Sequence, residues 1–147
     1  MSLWNSVYET GNELVDNDHK EIFALVGEVL ASVNMSRANK VKTGINFLAE
    51  YVVRHFANEE RLMDESDYPE TAEHKKEHAD FLIVATELKN KIDNDTFVIE
   101  ATDLSYINLS IELNKTIAGW LVAHVMGSDK KLANHYRKWS EEKSSLT

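Results

Sequence analysis

The chain of 147 residues has no cysteine. That excludes disulfides, thiolate metal sites and thiol nucleophiles together. It has one proline and five glycines. So few punctuating residues leave little room for many short strands, and long helices are expected. No apolar run approaches the length of a membrane span. The N-terminal MSLWNSVYETGNE lacks the basic-then-apolar order of a signal peptide. Cations are in deficit: 16 lysines and arginines against 25 aspartates and glutamates leave a net charge of −9. Such a surface repels phosphate backbones and anionic lipid, which argues against nucleic acid and membranes as partners. The acidity is spread along the chain, as on an ordinary solvated surface. A cytoplasmic location is the default expectation.

Apolar residues make up 43 % of the chain, enough for one domain over residues 1–147 with its own core. Four segments carry an apolar helical period. The first places His19, Ile22, Val26, Val29 and Val33 on one face. The second does so with Val41, Ile45, Leu48, Val52, His55, Glu59 and Leu62. The third runs His74, His78, Phe81, Ala85, Leu88, Ile92, and the fourth Tyr106, Leu109, Leu113, Ile117, Leu121, His124. Candidate caps are Asp16, Asn17 or Asp18 for the first helix, Ser36 for the second, and Thr102 or Asp103 for the fourth. Pro69 suits the first turn of the third. Asp93 to Asp103 reads as a longer connection.

The expected architecture is all-α: an antiparallel up-down-up-down four-helix bundle over about residues 17–128. An N-terminal extended arm, residues 1–16, packs across it through Trp4, Val7 and Tyr8. A short C-terminal helical extension, about 130–143, carries Leu132, Tyr136 and Trp139.

Imidazoles and carboxylates sit on the apolar faces of all four helices. One histidine on a core face is normally a satisfied core residue. Five of them, with a glutamate, are harder to satisfy, because buried imidazoles need partners and a buried carboxylate is costly unpaired. Residues four apart on a helix share a face, with Cβ atoms about 5–6 Å apart. His55 with Glu59, and His74 with His78, can therefore each serve one centre. Asp129 follows His124 by five residues, an awkward step that a π-type turn near Gly127 would correct. The set is His19, His55, Glu59, His74, His78, His124 and Asp129. Imidazole and carboxylate without thiolate suit iron, manganese or zinc. The set is too large for one metal. Two octahedral metals sharing both carboxylates and a solvent-derived bridge would leave one coordination position open.

The segments W…G…VDNDHKEI, HFANEERLM, YPETAEHKKEHADF and WLVAHVMGSDKKL, with H-x3-E, H-x3-H and H-x4-D in that order, resemble the hemerythrin family, in its single-domain bacterial form. The resemblance implies a non-haem centre of two iron ions per chain with a bridging oxide or hydroxide, binding dioxygen reversibly. It assigns His74, His78 and His124 to the saturated iron, His19 and His55 to the iron with the vacancy, and Glu59 and Asp129 to the bridges. Such a centre needs an apolar pocket that excludes water; Ile22, Phe56, Leu121 and Val125 are the candidates.

Three departures from the family stand out, one of them a tail after Asp129 that is polar past Trp139. Asp18 replaces a frequent glutamine, with expected consequences around His19, and the 93–103 connection looks long. Glu60 is expected outside the cluster or bordering it, Trp120 in packing, and His135 on the solvated surface. All seven ligands come from one chain, so a monomer or small homo-oligomer suffices. The expected role is oxygen carriage, storage or delivery, without catalysis. The alternatives are an oxygen or redox sensor acting through a separate partner, or a di-iron enzyme handling peroxide or nitric oxide. The Glu-x-x-His pairs of ferritin-like di-iron enzymes are absent. A closed structural metal site would leave no vacancy.

Overall fold

The computed structural model describes residues 3–93 and 103–146. Its helices are α1 (Glu13–Asn34), α2 (Ala38–Ser66), α3 (Thr71–Asp93), α4 (Asp103–Leu113), α5 (Gly119–His124) and α6 (Lys130–Ser145). The last three form one unbroken rod. Two π turns, Asn114–Ala118 and Val125–Asp129, join them, and every junction residue keeps right-handed helical dihedrals. The chain therefore folds as a four-helix bundle, as the periodicity predicts. The C-terminal extension is not a separate piece; it is the end of the fourth helix.

The helix ends differ from the expected ones for local reasons. Helix α1 is capped by Asn12, whose side chain accepts from Val15 N at 3.1 Å. Asp16, an expected cap, instead holds the arm: its carboxylate accepts from Thr10 N and Thr10 Oγ1 at 2.8 Å and from Gly11 N at 3.2 Å. Gly11 has φ +89°, a conformation that favours glycine. Ser36 does not cap α2, because it ends α1. It adopts φ 52°, with Ser36 N bonded to Val33 O and Arg37 N to Ser32 O. That is the Schellman pattern with serine in the usual glycine place. Pro69 lies in the link just before α3, whose first residue, Thr71, bonds Tyr68 O through Oγ1 at 2.6 Å. The remaining expected cap, Thr102, and most of the long connection lie outside the described residues.

The stripes meet in one core running the length of the bundle, from Ile22 and Phe56 at one end to Val33, Val41 and Ile92. Helices α1 and α2 approach closely at Gly44. A Cβ there would come within 2.9 Å of Val29 Cγ2. In the arm, Trp4 and Tyr8 pack on Phe23, with ring centroids 5.7 and 5.0 Å away. Val7 is 55 % exposed and does not join them. On α6, Leu132 is buried with Met63 and Tyr68 in a second, smaller cluster. Among the described residues no helix is long and apolar enough to cross a membrane.

Candidate metal centre

The bundle brings all seven sequence-predicted residues together and buries every one. His19 comes from α1. His55 and Glu59 lie one turn apart on α2, and His74 and His78 one turn apart on α3. His124 ends α5. Asp129 ends the π turn that follows. In an α-helix, five residues overshoot a full turn by about 140°. The wider π turn absorbs the extra residue and returns Asp129 to the face of His124.

Two overlapping groups result. Glu59, His74, His78, His124 and Asp129 offer ligand atoms all within 4.8 Å of one another. His19, His55, Glu59 and Asp129 do the same. Both carboxylates belong to both groups. Ring nitrogens face one another in pairs: His19 Nε2 to His55 Nε2, and His74 Nε2 to His124 Nε2, each 3.1 Å. Asp129 Oδ1 lies 3.0 Å from His74 Nε2 and 2.9 Å from His124 Nε2, and Asp129 Oδ2 lies 2.9 Å from His19 Nε2. Glu59 Oε1 lies 2.7 Å from His55 Nε2.

The donor set fits metal ions. All four carboxylate oxygens of Glu59 and Asp129, and Nε2 of His78, are buried with nothing but the other residues of the cluster to satisfy them. Native interiors leave only a few unsatisfied polar atoms per hundred residues, and to gather several in one place calls for an explanation such as an ion. Two nitrogens each about 2.0–2.1 Å from one first-row metal, at right angles, lie about 3 Å apart. The Nε2 pairs have that separation.

Three histidines are oriented from behind by carboxylates that sequence reasoning placed only in part. His55 Nδ1 donates to Asp18 Oδ2 at 3.0 Å, His78 Nδ1 to Glu60 Oε1 at 3.1 Å, and His124 Nδ1 to Glu77 Oε2 at 2.6 Å. A carboxylate accepts only, so Nδ1 carries a proton and each Nε2 faces the centre, where the neutral ring turns its lone pair to a metal. Asp18 therefore serves His55 and not its neighbour His19, because adjacent helical residues diverge by about 100°. It also accepts from Asn58 Nδ2 at 3.0 Å and Tyr51 OH at 3.4 Å. Glu77 also accepts from Ser128 Oγ. Nothing in the linear pattern marks Glu77, since its partners lie across the bundle. His135 is half-buried, and not simply solvated: its Nε2 donates to Ser66 O at 2.8 Å, at the end of α2.

The charges do not settle by themselves. Burial pulls His55 down, but the Glu59 carboxylate and the bond to Asp18 outweigh it and push His55 up to about 10. Burial, with His74 and His124 alongside, pushes His78 down to about 2. Burial and the charge of Asp129 raise Glu59. Burial acts on Asp129 too, but His124, His19 and His74 hold it well below the usual carboxylate range. Identical groups are thus forced to opposite protonation states, because protons alone must balance a buried cluster of bases.

Beside the cluster lies a small cavity, about 10 Å³ for the centre of a water-sized sphere. That is space for roughly one small molecule. His55, His124 and Asp129 reach its wall. The rest is apolar: Ile22, Phe56 and Leu121, as expected, with Leu48, Val52, Phe81, Ile117 and Trp120. Val125 is fully buried in the core but is not part of this wall. It follows His124 directly and projects to another side. Trp120 stacks on His124, centroids 4.4 Å apart and planes 13° apart. Phe56 stacks on His78 at 3.8 Å and 8°.

The family model described as "Hemerythrin HHE cation binding domain" matches residues 10–136. The chain is 27 % identical to a bacteriohemerythrin of Stenotrophomonas maltophilia, over 99 % of this chain and 90 % of that protein. It is 30 % identical to a hemerythrin-like protein of Naegleria gruberi, over 87 % of each. It is 29 % identical to myohemerythrin-1 of Phascolopsis gouldii, over 88 % and 89 %. A crystal structure of a hemerythrin point mutant superposes with a TM-score of 0.74 at 25 % identity, covering 92 % of this chain and 98 % of that one.

Proposed function

The chain belongs to the hemerythrin family, and we propose that it binds dioxygen reversibly at a centre of two iron ions, for carriage, storage or delivery, without turning over a substrate. The observation that carries this is the sharing of Glu59 and Asp129 between two unequal histidine groups. His74, His78 and His124 would hold one ion, His19 and His55 the other, and the carboxylates both. The smaller group has one imidazole fewer, so the ion it would hold could take a small guest that the other could not. When bound, the two irons supply the electrons that reversible dioxygen binding requires.

The chain's own residues do the rest. Asp18, Glu60 and Glu77 fix the imidazole tautomers. The cavity beside His55, His124 and Asp129 admits a small molecule, and apart from these three residues of the cluster its walls present no acid or base to a guest. Ile22, Phe56 and Leu121 keep bulk water out, which protects a reversible complex from proton delivery. That absence of a free acid or base favours binding over catalysis.

The test is spectroscopic. Purified protein is assayed for iron and protein together, and its absorption spectrum is recorded in air. It is then reduced without oxygen, recorded again and returned to air. Two irons per chain, with a visible band that vanishes on deoxygenation and returns with air, are expected. Return of only the oxidised spectrum would shift the reading to redox sensing or to peroxide or nitric oxide chemistry. Zinc, or no metal, after iron-replete expression would remove the di-iron assignment.

A further inference from the structure

A second apolar cavity lies between α2 and α3, about 100 Å³ by the same measure. It is lined by Ile45, Ala49, Val53, Leu82, Ala85 and their neighbours, and its outer rim reaches exposed Val53 and Thr86. Its inner wall is Leu48, Val52, Phe81 and Ile117. Those same four side chains wall the small cavity beside His55 and His124. The two spaces are therefore separated by one layer of side chains.

One of the four sits on an unusual backbone. Ile117 belongs to the π turn Asn114–Ala118. The other π turn has an evident task, returning Asp129 to the cluster. This one carries no residue of the cluster. Its hydrogen-bond ladder is loosened, with Thr116 Oγ1 donating to Glu112 O and Asn114 Nδ2 to Ser110 O. π turns inside helices mark places where function outweighs regularity. Here the irregular turn places a buried, branched side chain between two cavities.

We propose that the α2–α3 cavity is an antechamber through which a small, uncharged gas reaches the inner pocket, with Ile117 as the gate between them. Its walls suit such a guest: the lining is almost wholly aliphatic and aromatic, and Lys89 and Thr86 are its polar members. Ala49 and Ala85 leave the space a larger residue would fill. An apolar cavity of this size stays dry and takes xenon-sized guests. A hydrated anion would lose its water shell on entry to a lining whose one charged member is Lys89. The proposal rests on the dioxygen-binding reading for its guest, though not for the route.

Two measurements test it. Crystals of the protein as isolated are pressurised with xenon, which needs no iron chemistry. Xenon is expected in the α2–α3 cavity of the parent and absent from Ala85→Phe, with Ala85→Leu as the milder variant should the first not fold. An empty cavity in the parent would overturn the antechamber, whatever the protein binds at its centre. The second measurement is flash photolysis or stopped flow of dioxygen on the reduced protein. A plug slows entry and exit together, so Ala85→Phe should lower both rates about tenfold and leave their ratio unchanged. Ile117→Ala should raise both. Unaltered rates in all variants would place the route elsewhere. If the reduced protein takes no dioxygen, the function fails while the xenon result still decides the cavity.

Discussion

Asp18 Oδ2 stands 3.0 Å from Nδ1 of His55, bridging α1 and α2 behind the cluster. Tyr51 and Asn58 hold the same carboxylate. Removing the charge weakens the orientation of one ring without touching a ligand atom. Asp18→Asn should lower metal affinity about 10–100-fold, the usual effect of losing an outer partner. Tyr51→Phe, which loses only a 3.4 Å contact, should change it far less. Competition against a chelator of known affinity measures both; equal losses would show that the carboxylate has no special part.

The π turn at Val125–Asp129 is one residue longer than an α-helical turn needs to be. Deleting exposed Met126 shortens the step from His124 to the aspartate from five residues to four, which a plain α-helix serves. Metal content should survive that deletion. Deleting Val122, two residues before His124, rotates the whole ligand pair by about 100° relative to the upstream core and should abolish it. Metal analysis of the two purified variants decides; loss in both would mean that the loosened turn itself is required.

Metal uptake should release protons. His55 is pushed up to about 10 without metal, so it is protonated at neutral pH, yet it must be neutral to ligate. Affinity should therefore rise with pH below that value and fall as the solution is acidified. Calorimetry in buffers of different ionisation enthalpy should show net proton release on loading at pH 7, from His55 and from the raised Glu59 carboxyl. Buffer-independent heats would contradict the assignment.

His135 donates to the carbonyl of Ser66, one of the acceptors left open at the end of α2. His135→Ala should cost about 1 kcal/mol of stability, the ordinary worth of such a bond. Urea unfolding of the metal-loaded protein measures it, and metal stoichiometry should stay unchanged.

Gly44→Ala sets two effects against each other. Helix propensity favours alanine by about 0.5–1 kcal/mol. The new Cβ, 2.9 Å from stiff, branched Val29, costs about 1–3 kcal/mol in overpacking. Net destabilisation is expected, read as a lower urea midpoint; a higher one would mean that α1 and α2 separate easily.

Much of this molecule is legible in its sequence because helical period and ligand spacing obey the same geometry. His55 with Glu59, and His74 with His78, lie on one face for the reason that Val52 does. Even the five-residue step to Asp129 announces its π turn. What stays hidden is what crosses between helices. Glu77 looks like any surface glutamate until α3 and α5 are side by side. Asp18 looks like a neighbour of His19 until the helix turns it toward His55. Ser36 reads as a cap because serine usually caps, and only the chain reversal makes it a left-handed stop. The first π turn has no sequence signature, since its side chain, Ile117, continues the apolar stripe without a break.

The sharing of Glu59 and Asp129 by both histidine groups has a consequence for how the protein fills. Each carboxylate is costly to bury and is offset by whichever ion arrives first. The first arrival also locks the rotamers that the second will meet. The second ion then enters a prepaid, rigid socket, so half-filled chains should be scarce. A population short of metal would consist of empty and full molecules, and supply would set how many chains work more than how well each one does.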